Sequence, residues 1–137
     1  MTEEGTHGYW GDLHRPDLTP ETADFSVIGI PFDGMASVRK GAAHAPRSLR
    51  DLSRHLTPFS EDRTRLKGMT VCDLGDIEIN NPETDFVKVR QRIETLPNIP
   101  IVLGGDHSVS IPVLQGQRER YKDQRLGILW VDAHPDL

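Results

Sequence analysis

Gly127-Ile-Leu-Trp-Val-Asp-Ala-His-Pro-Asp-Leu137 is an apolar run that ends in three potential metal ligands spaced two apart. It reads as a buried strand delivering Asp132, His134 and Asp136 to its C-terminal rim, because residues at i, i+2 and i+4 of an extended chain project from one side. Pro135 supports that reading by disfavouring helical backbone at His134. In a straight strand Asp132 and Asp136 would stand about 13 Å apart, too far to share one ion. Either the chain bends after Asp132 or the set serves more than one metal.

A second stretch of the same kind lies upstream. Ile99-Pro-Ile-Val-Leu-Gly-Gly-Asp-His-Ser108 is again an apolar run that stops at glycines and then offers Asp106 and His107. Open parallel sheets hold ligands at the carboxyl ends of their strands, so two strands ending this way suggest one shared site. A lone D-x-H-x-D triplet fits a solvated loop equally well; the second strand ending in G-G-D-H favours a metal site. Imidazole and carboxylate donors, with no thiol nearby, suit manganese, zinc or iron better than soft metals.

Gly104-Gly-Asp-His-Ser108 and Asp132-Ala-His-Pro-Asp136 resemble the two N-terminal metal motifs of the ureohydrolase family, which includes arginase and agmatinase. Gly29-Ile-Pro-Phe-Asp33, the segment from Arg39 to Arg50, and Asp73-Leu-Gly-Asp76 are similar to family segments in the same order, so the resemblance covers about residues 25 to 137. Two departures, Pro135 where the family usually has Thr and Ala45 where it usually has Gly, touch no ligand position.

The resemblance implies a three-layer α/β/α parallel-sheet arginase-like fold, of which this sequence supplies an incomplete N-terminal part. It implies that His107 and Asp136 bind one Mn2+ and His134 the other, with Asp132 bridging. Asp106 would orient the ligands, a helix-start role being its alternative. The family's catalytic histidine region and a later D-x-D strand would follow Leu137. The catalytic residues are therefore unknown here, and the chain alone is expected to be inactive. The implied reaction is hydrolysis of a guanidino compound, agmatine first because Gly29 to Asp33 looks most like agmatinases, in a cytoplasmic homo-oligomer. The resemblance implies that strands from the family's C-terminal half lie between the two motif strands, so Gly127 to Leu137 is expected to be the least protected strand unless a partner chain fills the gap. Two other readings stay open: a single-metal zinc or iron hydrolase or deacetylase, and a truncated, non-catalytic interaction protein.

Composition narrows the classes further. A net charge of −5 gives no basic footprint for nucleic acid. No apolar run approaches the roughly 18 residues needed to span a bilayer, and the polar start has no secretory h-region. The single cysteine, Cys72, cannot form an internal disulfide and reads as a buried apolar thiol in a reducing compartment.

Residues 1–23 lack periodicity and read as an irregular arm, with His7 and His14 in solvated loop; the family resemblance implies that this arm packs against a neighbouring subunit, with Tyr9 and Trp10 available for it. Residues 24–137 read as strand, helix, strand, helix, strand, helix, strand, the pattern of parallel βαβ units. The strands are expected at Phe25–Ile30, Met69–Asp76, Ile99–Gly105 and Gly127 onward. Pro46 suits a first helical turn, and Leu49, Leu52 and Leu56 mark that helix's buried face. Arg39 and Arg50 would brace the preceding loop or lie on a solvated face, and Asp73 and Asp76 would serve a turn. Asn81-Pro-Glu opens a second helix whose face is Phe86, Val89, Ile93 and Leu96, closed by Pro97 and Pro100. Ser110 would cap a third helix, with Pro112 in its first turn.

Overall fold

The structure, a computed structural model, describes residues 8–133. Three strands, β1 (Phe25–Ile30), β2 (Val71–Asp76) and β3 (Ile99–Gly104), alternate with three helices, α1 (Ala45–Ser53), α2 (Pro82–Thr95) and α3 (Ser110–Arg120). The sheet is parallel in the order β2-β1-β3, with Phe25 opposite both Val71 and Ile99. Central β1 is buried along almost its whole length, as a parallel strand covered on both faces requires. Ile28 and Ile30 pack with Val89 and Ile93 of α2, with Leu96 just past its end, and with Val109. On the opposite face, Gly29 lies against Pro46 of α1. The expected α/β layering therefore holds.

Helix α2 begins where its sequence demands. The Asn81 side chain accepts from the Glu83 amide at 3.0 Å, and Pro82 takes the first turn, where a missing amide costs little. Asp85 reaches back to the amides of Asn80 and Asn81, both at 2.9 Å, and pairs with Lys88. The backbone donors, led by Asn81, together with the Lys88 ammonium, hold its carboxyl well below the usual carboxylate range. Val89, Ile93 and Leu96 are buried and Phe86 meets Phe32 edge-on at 5.7 Å, so the expected face is the real one. Pro97 lies just beyond the helix, whereas Pro100 is part of β3. Helix α3 packs closely on α2 at Gly116, where a Cβ would come within 2.6 Å of the Arg90 carbonyl oxygen and 2.7 Å of Ile93 Cβ.

Four expectations are corrected. Gly127–Val131 is not a strand: it is exposed coil, with Leu129 91% and Val131 89% accessible. A strand is stable only beside a partner, and among the described residues nothing pairs with this run. In α1 the stripe Leu49, Leu52 and Leu56 faces outward, and Pro46, Arg50 and Ser53 are buried instead. The cause is electrostatic. Arg50 Nε and Nη2 donate to the two Asp73 carboxylate oxygens at 2.8 and 3.0 Å, and its guanidinium also reaches Asp76 and the Gly75 carbonyl. Burial acts to raise the Asp73 pKa, but Arg50, the Gly75 amide and the Trp10 indole outweigh it and hold the carboxyl below its ordinary value. Ser110 is the first residue of α3 and not its cap; a 3-10 turn at His107–Val109 precedes it, capped by Asp106.

The fourth correction concerns the arm. His14 is not solvated loop: its Nδ1 accepts from the Asp73 amide at 3.2 Å, beside a Leu13 carbonyl that accepts from Val71. Trp10 donates its indole N–H to Asp73 at 2.9 Å, and Arg54 lies over the Tyr9 ring at 4.3 Å. The arm thus lines the outer edge of β2. Cys72 is buried, its Sγ 3.2 Å from the Leu18 carbonyl, and burial raises its pKa. His7 lies outside the described residues.

Candidate metal centre

The carboxyl end of β3 makes one wall of the site. Its apolar run stops at Gly104 and Gly105, and a Cβ at Gly105 would overlap the Phe32 carbonyl oxygen, so only glycine lets the chain turn this tightly against the β1 exit. Asp106 then donates its amide to Phe32 at 2.8 Å. Its carboxylate accepts from the Met35 amide at 2.8 Å and from both the amide and hydroxyl of Ser108. It therefore starts the 3-10 turn and fastens the loop after β1 to the β3 rim.

His107 follows on that turn, its side chain 58% accessible, and faces a cleft of about 970 Å³. The loop Met35–Arg39 forms a second wall and the segment Ile128–Asp132 a third. His107 Nε2 lies 3.7 Å from Asp132 Oδ2, and the imidazole meets the Trp130 ring edge-on at 4.8 Å. Two of the four expected ligands are thus gathered at one rim, while His134 and Asp136 lie outside the described residues. Among the described residues no cluster of three or more His, Cys, Asp or Glu side chains could enclose a metal.

The two donors present fit the implied ion. Donors each about 2.1 Å from one cation stand roughly 3 to 4.2 Å apart, and the His107–Asp132 separation falls in that range. An imidazole and a carboxylate suit manganese, zinc or iron alike. The Trp130 contact and the Met35–Arg39 wall were not foreseen. The first has no signal in the spacing of the motif, since alternation in a strand would have turned Trp130 to the same side as Asp132 without giving it a partner. The second follows a strand exit, where sheet ligands collect.

Residues 23–137 match the model of the Arginase family. The chain belongs to the arginase family. It is 34% identical over 125 residues to the mitochondrial guanidino acid hydrolase of Homo sapiens, covering 86% of this chain and 35% of that protein. It is 32% identical over 129 residues to the agmatinase of Bacillus subtilis, covering 90% and 43%. The agmatine ureohydrolase of Thermoplasma volcanium has the same fold over 82% of this chain and 39% of its own, with a TM-score of 0.68 at 28% identity. A Trypanosoma cruzi formiminoglutamase variant determined with Mn2+ superposes with a TM-score of 0.74 over 85% of this chain and 42% of its own, and at 22% identity that likeness is one of fold. This arginase-family chain spans less than half the length of the curated relatives it matches.

Proposed function

We propose that this chain is the N-terminal portion of a manganese-dependent ureohydrolase that hydrolyses a linear guanidino compound to urea and an amine. The observation that carries the reading is the approach of His107 and Asp132 across one cleft at the β3 rim. Support also comes from similar proteins whose names share the guanidino group and differ in what is attached to it: guanidino acid hydrolase, agmatinase, arginase and guanidinobutyrase. Agmatine is the preferred substrate, on the likeness of Gly29 to Asp33 to agmatinases. The other readings in the sequence, a single-metal hydrolase and a non-catalytic interaction protein, have no comparable support.

In this proposal His107, Asp132, His134 and Asp136 would hold the ions, which would supply a water acidified enough to provide hydroxide near neutral pH. Asp106 keeps the rim and the Met35–Arg39 loop together, so that His107 is presented at a fixed height above the cleft. Carboxylate ligands offset cation charge, which lowers repulsion of a guanidinium substrate. Further ligands and the contacts to the substrate's far end would come from polypeptide following Leu137. The site would operate in a cytoplasmic homo-oligomer. Among the described residues no helix is long and apolar enough to cross a membrane.

The test has two readouts. Titration of the 137-residue chain with Mn2+, followed by the electron paramagnetic resonance of the free ion, should show binding that weakens about tenfold or more in His107→Ala or Asp132→Asn. Urea release from agmatine should be absent for this chain and present when the polypeptide continues through a D-x-D strand. Manganese binding indifferent to both substitutions, or an extended chain that releases urea from no guanidino compound, would sink the proposal.

A further inference from the structure

The loop after β1 is closed on itself by one side chain. Asp33 accepts from the Gly41 amide at 2.6 Å and from the Ala43 amide at 3.3 Å, both at the same carboxylate oxygen. Its carbonyl oxygen accepts from the Ala36 amide at 3.2 Å and from the Lys40 ammonium. Bonds from backbone N–H groups to a carboxylate are charge-assisted and among the stronger ones, and these two amides, Gly41 first, hold the Asp33 carboxyl below its ordinary value. Gly41 has a φ of 125°, a backbone that residues with a side chain rarely adopt, and at that turn its amide meets Asp33.

The near end of the loop is tied differently. Met35 donates its amide to Asp106 at 2.8 Å, and Asp106 donates its own to the Phe32 carbonyl oxygen at 2.8 Å. Adjacent residues thus make two separate ties: Phe32 joins the β1 exit to the β3 rim, and Asp33 joins the start of the loop to its end. The stretch Met35–Arg39, which lines the cleft with His107, is therefore strung between two carboxylates, one of them next to a candidate ligand. These ties all lie between Phe32 and Asp106, and none involves the run Ile128–Asp132 or anything after it.

We propose that Asp33 is a positioning residue of the candidate metal centre. By closing the loop on the Gly41 and Ala43 amides it sets how far the Met35–Arg39 wall stands from His107, and so the width of the cleft that a guanidino substrate enters. This role rests on the reading of the cleft as a hydrolase site. Asp33 acts through the wall and not on the reacting atoms. A loop fixed at Met35 alone would swing about that point, so the second tie is what holds its far end.

Hydrogen exchange and Mn2+ relaxation measured on the 137-residue chain test this. Asp33→Ala should speed exchange of the Gly41 and Ala43 amides by about tenfold or more and leave the Val27 and Ile28 amides of β1 unchanged, which separates a local release from a general loss of stability. Bound Mn2+ broadens amide resonances steeply with proximity. At matched Mn2+ occupancy the Ser37 and Val38 amides should therefore lose most of their broadening in Asp33→Ala and regain part of it in Asp33→Asn, which keeps an acceptor oxygen. Gly41→Ala, where a Cβ meets nothing within 4 Å but the backbone is strained, should release the same end with Asp33 in place. Bound Mn2+ with equal or greater broadening in Asp33→Ala, or Gly41 and Ala43 amides that exchange no faster in that variant, would overturn the role of Asp33 alone. An unmodified chain that binds no Mn2+ would instead overturn the reading of the cleft as a metal site, and this role with it.

Discussion

Replacing Arg50 by Met keeps most of the side-chain volume and removes the guanidinium that holds α1 to the end of β2. The Arg50 and Asp73 side chains are only 10% and 6% accessible, and Asp76 is 28% accessible. Removing one partner of a buried ion pair leaves an uncompensated charge and typically costs about 3 to 5 kcal/mol. That is a large share of the roughly 5 to 15 kcal/mol of a domain's net stability. With a urea m-value of about 2 kcal/mol/M, the midpoint should fall by about 2 M. Arg50→Lys should fall between, since an ammonium keeps the charge but cannot make the forked pair.

The pH dependence gives a stricter check. In the folded protein the Asp73 carboxyl is held below its ordinary value, burial being outweighed by Arg50, the Gly75 amide and Trp10. A depressed folded pKa contributes stability that is complete above the unfolded value, about 3.9, and is lost as pH falls toward the folded one. In Arg50→Met the main opposing group is gone, burial dominates, and the carboxyl protonates more readily. The deficit of the variant should therefore be largest near neutral pH and shrink below about pH 4. Paired urea titrations near pH 7 and at about pH 3.5 measure this. A midpoint shift under about 0.5 M, or a deficit equal at the two pH values, would show that the ion pair does not hold the helix.

Trp10→Phe deletes the indole donor to Asp73 and should cost about 1.5 to 3 kcal/mol, the range for hydrogen bonds to charged groups. Because it shares Asp73 with Arg50, the double variant should depart from additivity, and a strictly additive chemical denaturation result would contradict the shared network. Gly116→Ala gains about 1 kcal/mol of helix propensity but drives a methyl to within 2.6 Å of the Arg90 carbonyl oxygen. Overpacking costs typically about 1 to 3 kcal/mol, so the thermal midpoint should fall; a rise would mean that α2 and α3 separate freely.

The elements that were legible in the sequence are those whose pattern and environment agree. Phe25–Ile30 is apolar apart from Ser26 and Gly29, and its place between two parallel strands favours that. The cap Asn81-Pro82 and the spacing of Val89, Ile93 and Leu96 fixed both the start and the face of α2. Leu49, Leu52 and Leu56 misled because periodicity weighs only apolar residues. A guanidinium that finds two carboxylates and a carbonyl at the end of β2 decides the helix's rotation against three leucines, and the partners lie 23 to 26 residues away in sequence. His14 was missed for the same reason, its partner being the amide of Asp73.

The site was legible to a different depth. The spacing of G-G-D-H and D-x-H-x-D pointed to one rim, and His107 and Asp132 stand together there, with His134 and Asp136 outside the described residues. What spacing could not convey is that a strand is a relation between segments. Gly127–Val131 has the composition of a buried strand and lies exposed because its hydrogen-bonding groups have no neighbour among the described residues. An unmatched buried backbone group costs about 1 to 3 kcal/mol, so burying four such residues without a partner would forfeit more than their apolar area returns. The same run that carries Asp132 toward the candidate metal centre is therefore the part of the chain whose structure depends most on what lies beside it.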